Sequence, residues 1–217
     1  MKAELPVDVH ADEATFDIQF GNVTRKVHTN TSWEKARFES CAHKWVDLSE
    51  GHYGVSLLND CKYGHSIKDG VIGLTLIKSG VDPNPNADVE VHSFTYSLYP
   101  HSEGWRKAET VQEGYKLNQP MYAAAGGTPG RKGSFAAVDK VNVILETVKQ
   151  SEDGSGTVLR LYECENARTK TVLTVPANTQ KAYITDLLEQ VEAELPIVDG
   201  TICLTVKPYE IVTVLLR

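Results

Sequence analysis

The sequence predicts an all-β protein of two β modules, and three observations carry that prediction. Apolar residues recur with period two along most of the chain. In a pleated strand alternate side chains face opposite sides, so the pattern gives one buried and one solvated face. Asp69-Gly70, Asp199-Gly200 and Asp153-Gly154-Ser155-Gly156 are hairpin or turn signals between such runs. Residues 123–134, Ala-Ala-Ala-Gly-Gly-Thr-Pro-Gly-Arg-Lys-Gly-Ser, lack apolar bulk and read as a glycine-rich connector. The 217 residues suffice for a core on each side of it.

In order, a polar lead-in carries His10-Ala11-Asp12, and Phe16, Ile18 and Phe20 then alternate with Asp17 and Gln19 as a half-buried strand. Around residues 38–45, Phe38, Ser40, Ala42 and Lys44 alternate with Glu39, Cys41, His43 and Trp45, which gives Trp45 a core or inter-sheet packing role. A stacking role on a sugar face is the rival reading of that segment. Strands follow at Gly54 to Leu58, Val71 to Lys78 and Val89 to Tyr99, the last with His92, Phe94, Tyr96 and Leu98 on one face. Residues 81–86 are a loop, because neither Pro83 nor Pro85 can donate to a ladder. Asn118-Gln119-Pro120 closes the first module. Beyond the connector, strand signals recur at Val141 to Val148, Thr157 to Cys164, Thr171 to Val175, Ala182 to Leu187, Thr201 to Val206 and Ile211 to Leu216, the rhythm of a β-sandwich. Thr185 to Leu195 also allows a short helix ending at Pro196, with Leu187, Leu188, Val191 and Leu195 on one face.

Charge and cysteine content narrow the function. The net charge of −7 offers no basic patch for phosphates, so no nucleic-acid partner is expected. There is no apolar run of transmembrane length and no signal-peptide core, so no membrane association is expected. Cys41, Cys61, Cys164 and Cys203 include no C-x-x-C pair, which argues against a zinc ribbon. Their number allows a disulfide framework, but sparse cysteines in a long chain without a signal peptide fit reduced thiols in the cytoplasm better. Gly126 to Ser134 fails as a phosphate loop, since Arg131 rather than Lys follows Gly130 and a strand rather than a helix is expected after Ser134. No G-x-S-x-G nucleophile elbow occurs. Asn59-Asp60-Cys61-Lys62-Tyr63-Gly64 gathers small and hydrogen-bonding groups at a strand end, where a turn and a binding loop are equally compatible with the residues.

The ordered landmarks Phe20-Gly21-x-Val23, His28-Thr29-Asn30-Thr31-Ser32-Trp33, Ala42-His43-Lys44-Trp45-x-Asp47-Leu48-Ser49, Leu57-Leu58-Asn59-Asp60-Cys61-Lys62-Tyr63-Gly64, His92-x-Phe94-x-Tyr96-x-Leu98-x-Pro100-His101, Leu159-Arg160-Leu161-Tyr162-Glu163 and Asp186-Leu187-Leu188-Glu189 resemble the post-catalytic β-region of glycoside hydrolase family 38. These are the retaining class II α-mannosidases, and the Ala-His-Lys-Trp and Asn-Asp-Cys-Lys-Tyr-Gly runs are similar to the cytosolic and bacterial branch. The resemblance implies a large galactose-mutarotase-like β-sandwich region over residues 1–122, the connector at 123–134, and a smaller C-terminal β-sandwich over 135–217. It implies an N-terminal catalytic domain as partner, a mannose-containing oligosaccharide as substrate, and zinc in that catalytic domain, with no cofactor in this chain. Homo-oligomerisation is left open.

His10-Ala11-Asp12 matches the His-x-Asp spelling that opens the family's zinc site, but it stands in a polar lead-in without further ligands and reads as an exposed linker. Retaining hydrolysis needs two carboxyl groups across a sugar. The 29 acidic residues single out no such pair, so no catalytic residue is assigned. The resemblance makes Asn59, Asp60, Lys62 and Tyr63 the candidates for a substrate-binding rim. Lys78 stands where relatives tend to carry arginine, and an ammonium cannot reproduce a bidentate guanidinium contact. Two other classes stay in play: a self-standing carbohydrate-binding module using Trp105 or Tyr63, and an aldose epimerase, which needs a paired acid and base in a cleft.

Overall fold

The computed structural model of the chain describes residues 1–126 and 133–217. Most of the stretch weighed as a phosphate loop lies outside them. Two compact units result, Met1–Ala123 and Ala124–Arg217.

The first unit runs β1 (Lys2–Pro6), β2 (Glu13–Ile18), β3 (Gly21–Lys26), α1 (Ser32–Ala36), β4 (Ser40–Cys41), β5 (Trp45–Ser49), β6 (Tyr53–Asn59), β7 (Gly64–Lys68), β8 (Val71–Thr75), β9 (Tyr96–Ser102) and α2 (Thr110–Asn118). Among the described residues these strands form a sheet ordered β1-β8-β7-β4 and a second ordered β3-β2-β5-β6-β9. Phe16, Val46, Leu48, Val55 and Leu57 from the second sheet meet Ile67, Ile72 and Leu74 from the first in one buried core. The opposite face of the second sheet carries Trp45, Asp47, Ser56 and Leu58, and α2 covers it: a Cβ on Gly114 would sit 3.1 Å from the Trp45 ring. Trp45 therefore packs as the structural reading of its segment has it, fully buried against Trp105 with ring centroids 5.2 Å apart.

Among the described residues two helices, neither of them predicted, lie outside the predicted strands. Thr31 caps α1, its Oγ1 accepting from the Glu34 amide while Glu34 Oε2 accepts from the Thr31 amide, a reciprocal box that satisfies free donors of the first turn. The strand predicted over Val89 to Tyr99 starts only at Tyr96. The reason is the end of its partner. β6 stops at Asn59, which pairs with Tyr96, so residues 89–95 run past it and have no ladder to join despite their alternation.

The second unit contains β10 (Ala137–Val138), β11 (Val143–Gln150), β12 (Thr157–Glu163), β13 (Thr169–Thr174), β14 (Ala182–Thr185), β15 (Val191–Leu195), β16 (Thr201–Val206) and β17 (Ile211–Leu216). They form sheets ordered β10-β13-β16 and β11-β12-β17-β14-β15 among the described residues. Leu159, Leu161, Leu173, Ile202 and Val214 are fully buried between them. The helix alternative at Thr185 to Leu195 is not realised. Asp186 Oδ1 accepts the amides of Leu188 and Gln190, Glu189 takes φ +64°, and a hairpin joins β14 to β15 with Leu187 and Leu188 in solvent.

Candidate functional site

The predicted rim is the turn between β6 and β7. Asn59 ends β6, and its side chain is spent inside the protein: Nδ2 donates to the His43 carbonyl at 2.8 Å and Oδ1 accepts the Lys62 amide at 2.6 Å. Only 1% of Asn59 is exposed, so it shapes the turn and presents nothing outward. Asp60 locks the turn to the residue before β9, donating its amide to the Thr95 carbonyl at 3.1 Å while Oδ2 accepts the Thr95 amide at 2.9 Å. Beneath, the buried His65 faces the Tyr63 carbonyl through Nδ1 at 3.1 Å.

The outward groups are Asp60, Lys62 and Tyr63, with half-buried His43 beside them. Tyr63 is 58% exposed and its ring lies 5.2 Å from that of His43, tilted by 59°. Lys62 Nζ sits 5.0 Å above the Phe94 ring, which holds the ammonium over the loop. Burial would raise the Asp60 carboxyl, but hydrogen bonds from Cys61 and Thr95 outweigh it and hold the group below its ordinary value. Burial, helped by the Lys44 charge, lowers His43, so its imidazole is neutral at pH 7. A charged acceptor, a cationic donor, a neutral imidazole and an aromatic face thus adjoin, groups that can bond hydroxyls and cover a sugar face.

Other sequence candidates lie elsewhere. His10 and Asp12 are exposed, His10 facing Asp8 at 3.7 Å and Asp12 facing Lys26 at 3.1 Å. Among the described residues no three His, Cys, Asp or Glu converge to hold a metal, so the residues present do not fit a zinc site and no metal step is assigned to them. Trp105, an exposed anchor in the carbohydrate-module reading, is only 6% exposed and belongs to the packing under α2, which corrects that expectation. One cluster escaped sequence reasoning. His101 Nε2 lies 2.8 Å from Asp47 Oδ2, Ser56 Oγ donates to the same oxygen at 2.7 Å, and Thr110 Oγ1 is 3.0 Å from Ser56 Oγ. These groups come from β5, β6, β9 and α2, too far apart in sequence to suggest a set. All are buried, Ser56 and Thr110 completely.

Two family models match the chain: the glycosyl hydrolases family 38 C-terminal domain over residues 1–86, and the family 38 C-terminal beta sandwich domain over residues 142–214. The chain belongs to glycosyl hydrolase family 38. It corresponds to the C-terminal region of the family's α-mannosidases. Human Alpha-mannosidase 2C1 is 40% identical over 100% of this chain and 21% of its own length. Alpha-mannosidase G of Dictyostelium discoideum is 43% identical over 71% of this chain and 15% of its own. The crystal structure of an alpha-mannosidase from Enterococcus faecalis V583 shares the fold with a TM-score of 0.78 at 20% identity, over 100% of this chain and 25% of that one. The chain thus spans about a fifth of the length of the curated family 38 relatives it matches. The all-β prediction and the family resemblance both hold.

Proposed function

We propose that this chain is the C-terminal, non-catalytic β-region of a retaining α-mannosidase that removes terminal α-linked mannose, and that alone it hydrolyses nothing. One observation carries the reading: proteins named α-mannosidases match the full chain while most of their own length lies outside the match. In this reading residues 1–122 are the β-supersandwich region and 135–217 the C-terminal sandwich. The partner is an N-terminal catalytic domain, which also holds the zinc. Three exposed free thiols, Cys41, Cys61 and Cys203, fit a reducing, cytoplasmic setting.

Asp60, Lys62 and Tyr63 form an edge of the substrate pocket, and Asn59 holds their turn. Their support is the convergence of charge, hydrogen-bonding capacity and an exposed ring at one strand end. The decisive assay is hydrolysis of an aryl α-mannoside by the purified chain with added zinc. No release is expected, and any release not traceable to a contaminant overturns the reading. In the complex with a catalytic region, Tyr63→Ala raises KM several-fold with a smaller effect on kcat, as loss of a stacking contact worth about 1 kcal/mol requires.

The carbohydrate-module reading retains one observation, the exposed Tyr63 ring beside His43. Saturation transfer from the chain to free mannose, lost in Tyr63→Ala, would favour it over a scaffold that needs the catalytic region.

A further inference from the structure

The two sheets of the first unit are unequal, and the excess is apolar. The sheet opposite the five-stranded one has four strands, and β9 is the outermost strand of the larger sheet. In register, Leu98 stands opposite Leu57 and Pro100 opposite Val55, so both side chains project from the face that Leu57 and Val55 bury in the core. Tyr96, opposite Asn59, projects from that face too. Yet Leu98 is 45% exposed, Tyr96 41%, and Pro100 is exposed as well. The core face thus continues one strand beyond its cover. Among the described residues no strand pairs with the far edge of β9, which leaves a row of backbone donors and acceptors beside the apolar strip. Val89 and Val91, just before it, are 77% and 98% exposed.

From this we infer that the inner face and free edge of β9 are a docking surface for the part of a family 38 polypeptide that lies outside the region matched here. The occupant follows from two observations. The strip continues a buried core, so its cover should be apolar chain that completes the same sandwich, not a soluble ligand. And the relatives carry nearly four-fifths of their length beyond the match, which supplies such chain. The inference rests on the reading that this chain works with a catalytic region, and it adds where that region holds on. A free edge recruits by strand addition, its alternate side chains entering an apolar groove.

The test is co-expression of this chain with human Alpha-mannosidase 2C1 lacking the stretch that this chain matches, followed by affinity capture of that remainder. Leu98→Glu and Pro100→Glu should each cut retention of this chain about tenfold or more, as a charge at a buried contact does. Leu188→Glu, at an exposed site in the second unit, should not. Unchanged circular dichroism and thermal unfolding of the isolated variants establishes that they fold. Equal retention of both β9 variants with mannosidase activity restored overturns the β9 surface and leaves the proposed function standing. Retention that depends on β9 without activity does the reverse. No retention of the unaltered chain defeats both. A homodimer of this chain that Leu98→Glu dissociates also overturns the inference, because a second copy would then be the occupant.

Discussion

Two buried groups, Asp17 and His65, titrate in opposite senses within the first unit. Burial drives the Asp17 carboxyl up to about 6, although the Lys44 amide donates to it at 2.8 Å. Burial drives His65 down to about 4. For His65 the unfolded chain binds the extra proton between about pH 4 and 6.5, so stability falls as pH drops through that window. For Asp17 the folded chain binds it between about pH 3.8 and 6, so stability rises as pH drops there. From pH 7 to 4.5 each contributes about 2 kcal/mol, with opposite signs, and the two nearly cancel. Asp17→Asn should therefore leave the protein losing about 2 kcal/mol more than wild type across that range, while His65→Gln should lose about 2 kcal/mol less. Urea unfolding at pH 7 and 4.5 measures both, and variant curves parallel to wild type would refute the assignment.

His101 belongs to a third case. Burial alone would lower it, but the Asp47 carboxylate beside it prevails and raises its value. With Nε2 toward Asp47 and Nδ1 toward the Glu103 carbonyl at 3.2 Å, both ring nitrogens face acceptors and the imidazolium is the form held. The stabilisation is complete below the ordinary histidine value and is lost as pH rises through the raised one. Removing the ring strands a buried carboxylate, so His101→Ala should cost about 3–5 kcal/mol near pH 6. Adding Asp47→Asn should recover part of it. A double variant no more stable than His101→Ala would show that the pair does not carry the cost.

Among the elements, the close approach of β12 to β17 is the most exacting. Gly156 precedes β12, and a Cβ there would stand 2.1 Å from the Leu216 carbonyl oxygen, a backbone atom that cannot swing aside. Gly156→Ala must displace the edge of that sheet and should destabilise the second unit by about 2–4 kcal/mol, read from its denaturant midpoint. Gly154→Ala meets only the Gln150 amide at 3.7 Å, but its φ of +70° makes it costly for a different reason, about 1 kcal/mol of left-handed strain. Equal effects at the two positions would contradict this ranking.

The legibility of these elements follows their physics. β6, β12 and β17 announced themselves because burial on one or both faces writes periodic or continuous apolar runs. The short α1 buries no residue, so no apolar stripe marked it, yet Thr31 and Glu34 at capping-box spacing were a signal in plain sight. α2 buries only Thr110, Val111 and Gly114, too little apolar surface to stand out from its polar neighbours. At the candidate site, the hydrogen-bonding character of residues 59–63 was readable. That Asn59 faces inward was not, because it depends on the His43 carbonyl and Lys62 amide being brought to it by the fold.

At the scale of the whole chain, the two buried cores share no residue: one draws on Val9 to Leu76 and the other on Val143 to Leu216. Each sheet likewise closes within its own unit. Since cooperativity spreads through shared buried contacts, each unit has what it needs to unfold as its own cooperative block. Gly156→Ala should then lower hydrogen-exchange protection in β11, β12 and β17 while β5, β6 and β8 exchange as in wild type, and His101→Ala should do the converse. Exchange followed by mass spectrometry of peptic fragments separates the two sets. A substitution in one unit that speeds exchange equally in both cores would mean a single cooperative block, and the division of the chain into a supersandwich region and a C-terminal sandwich would then describe its sequence but not its energetics.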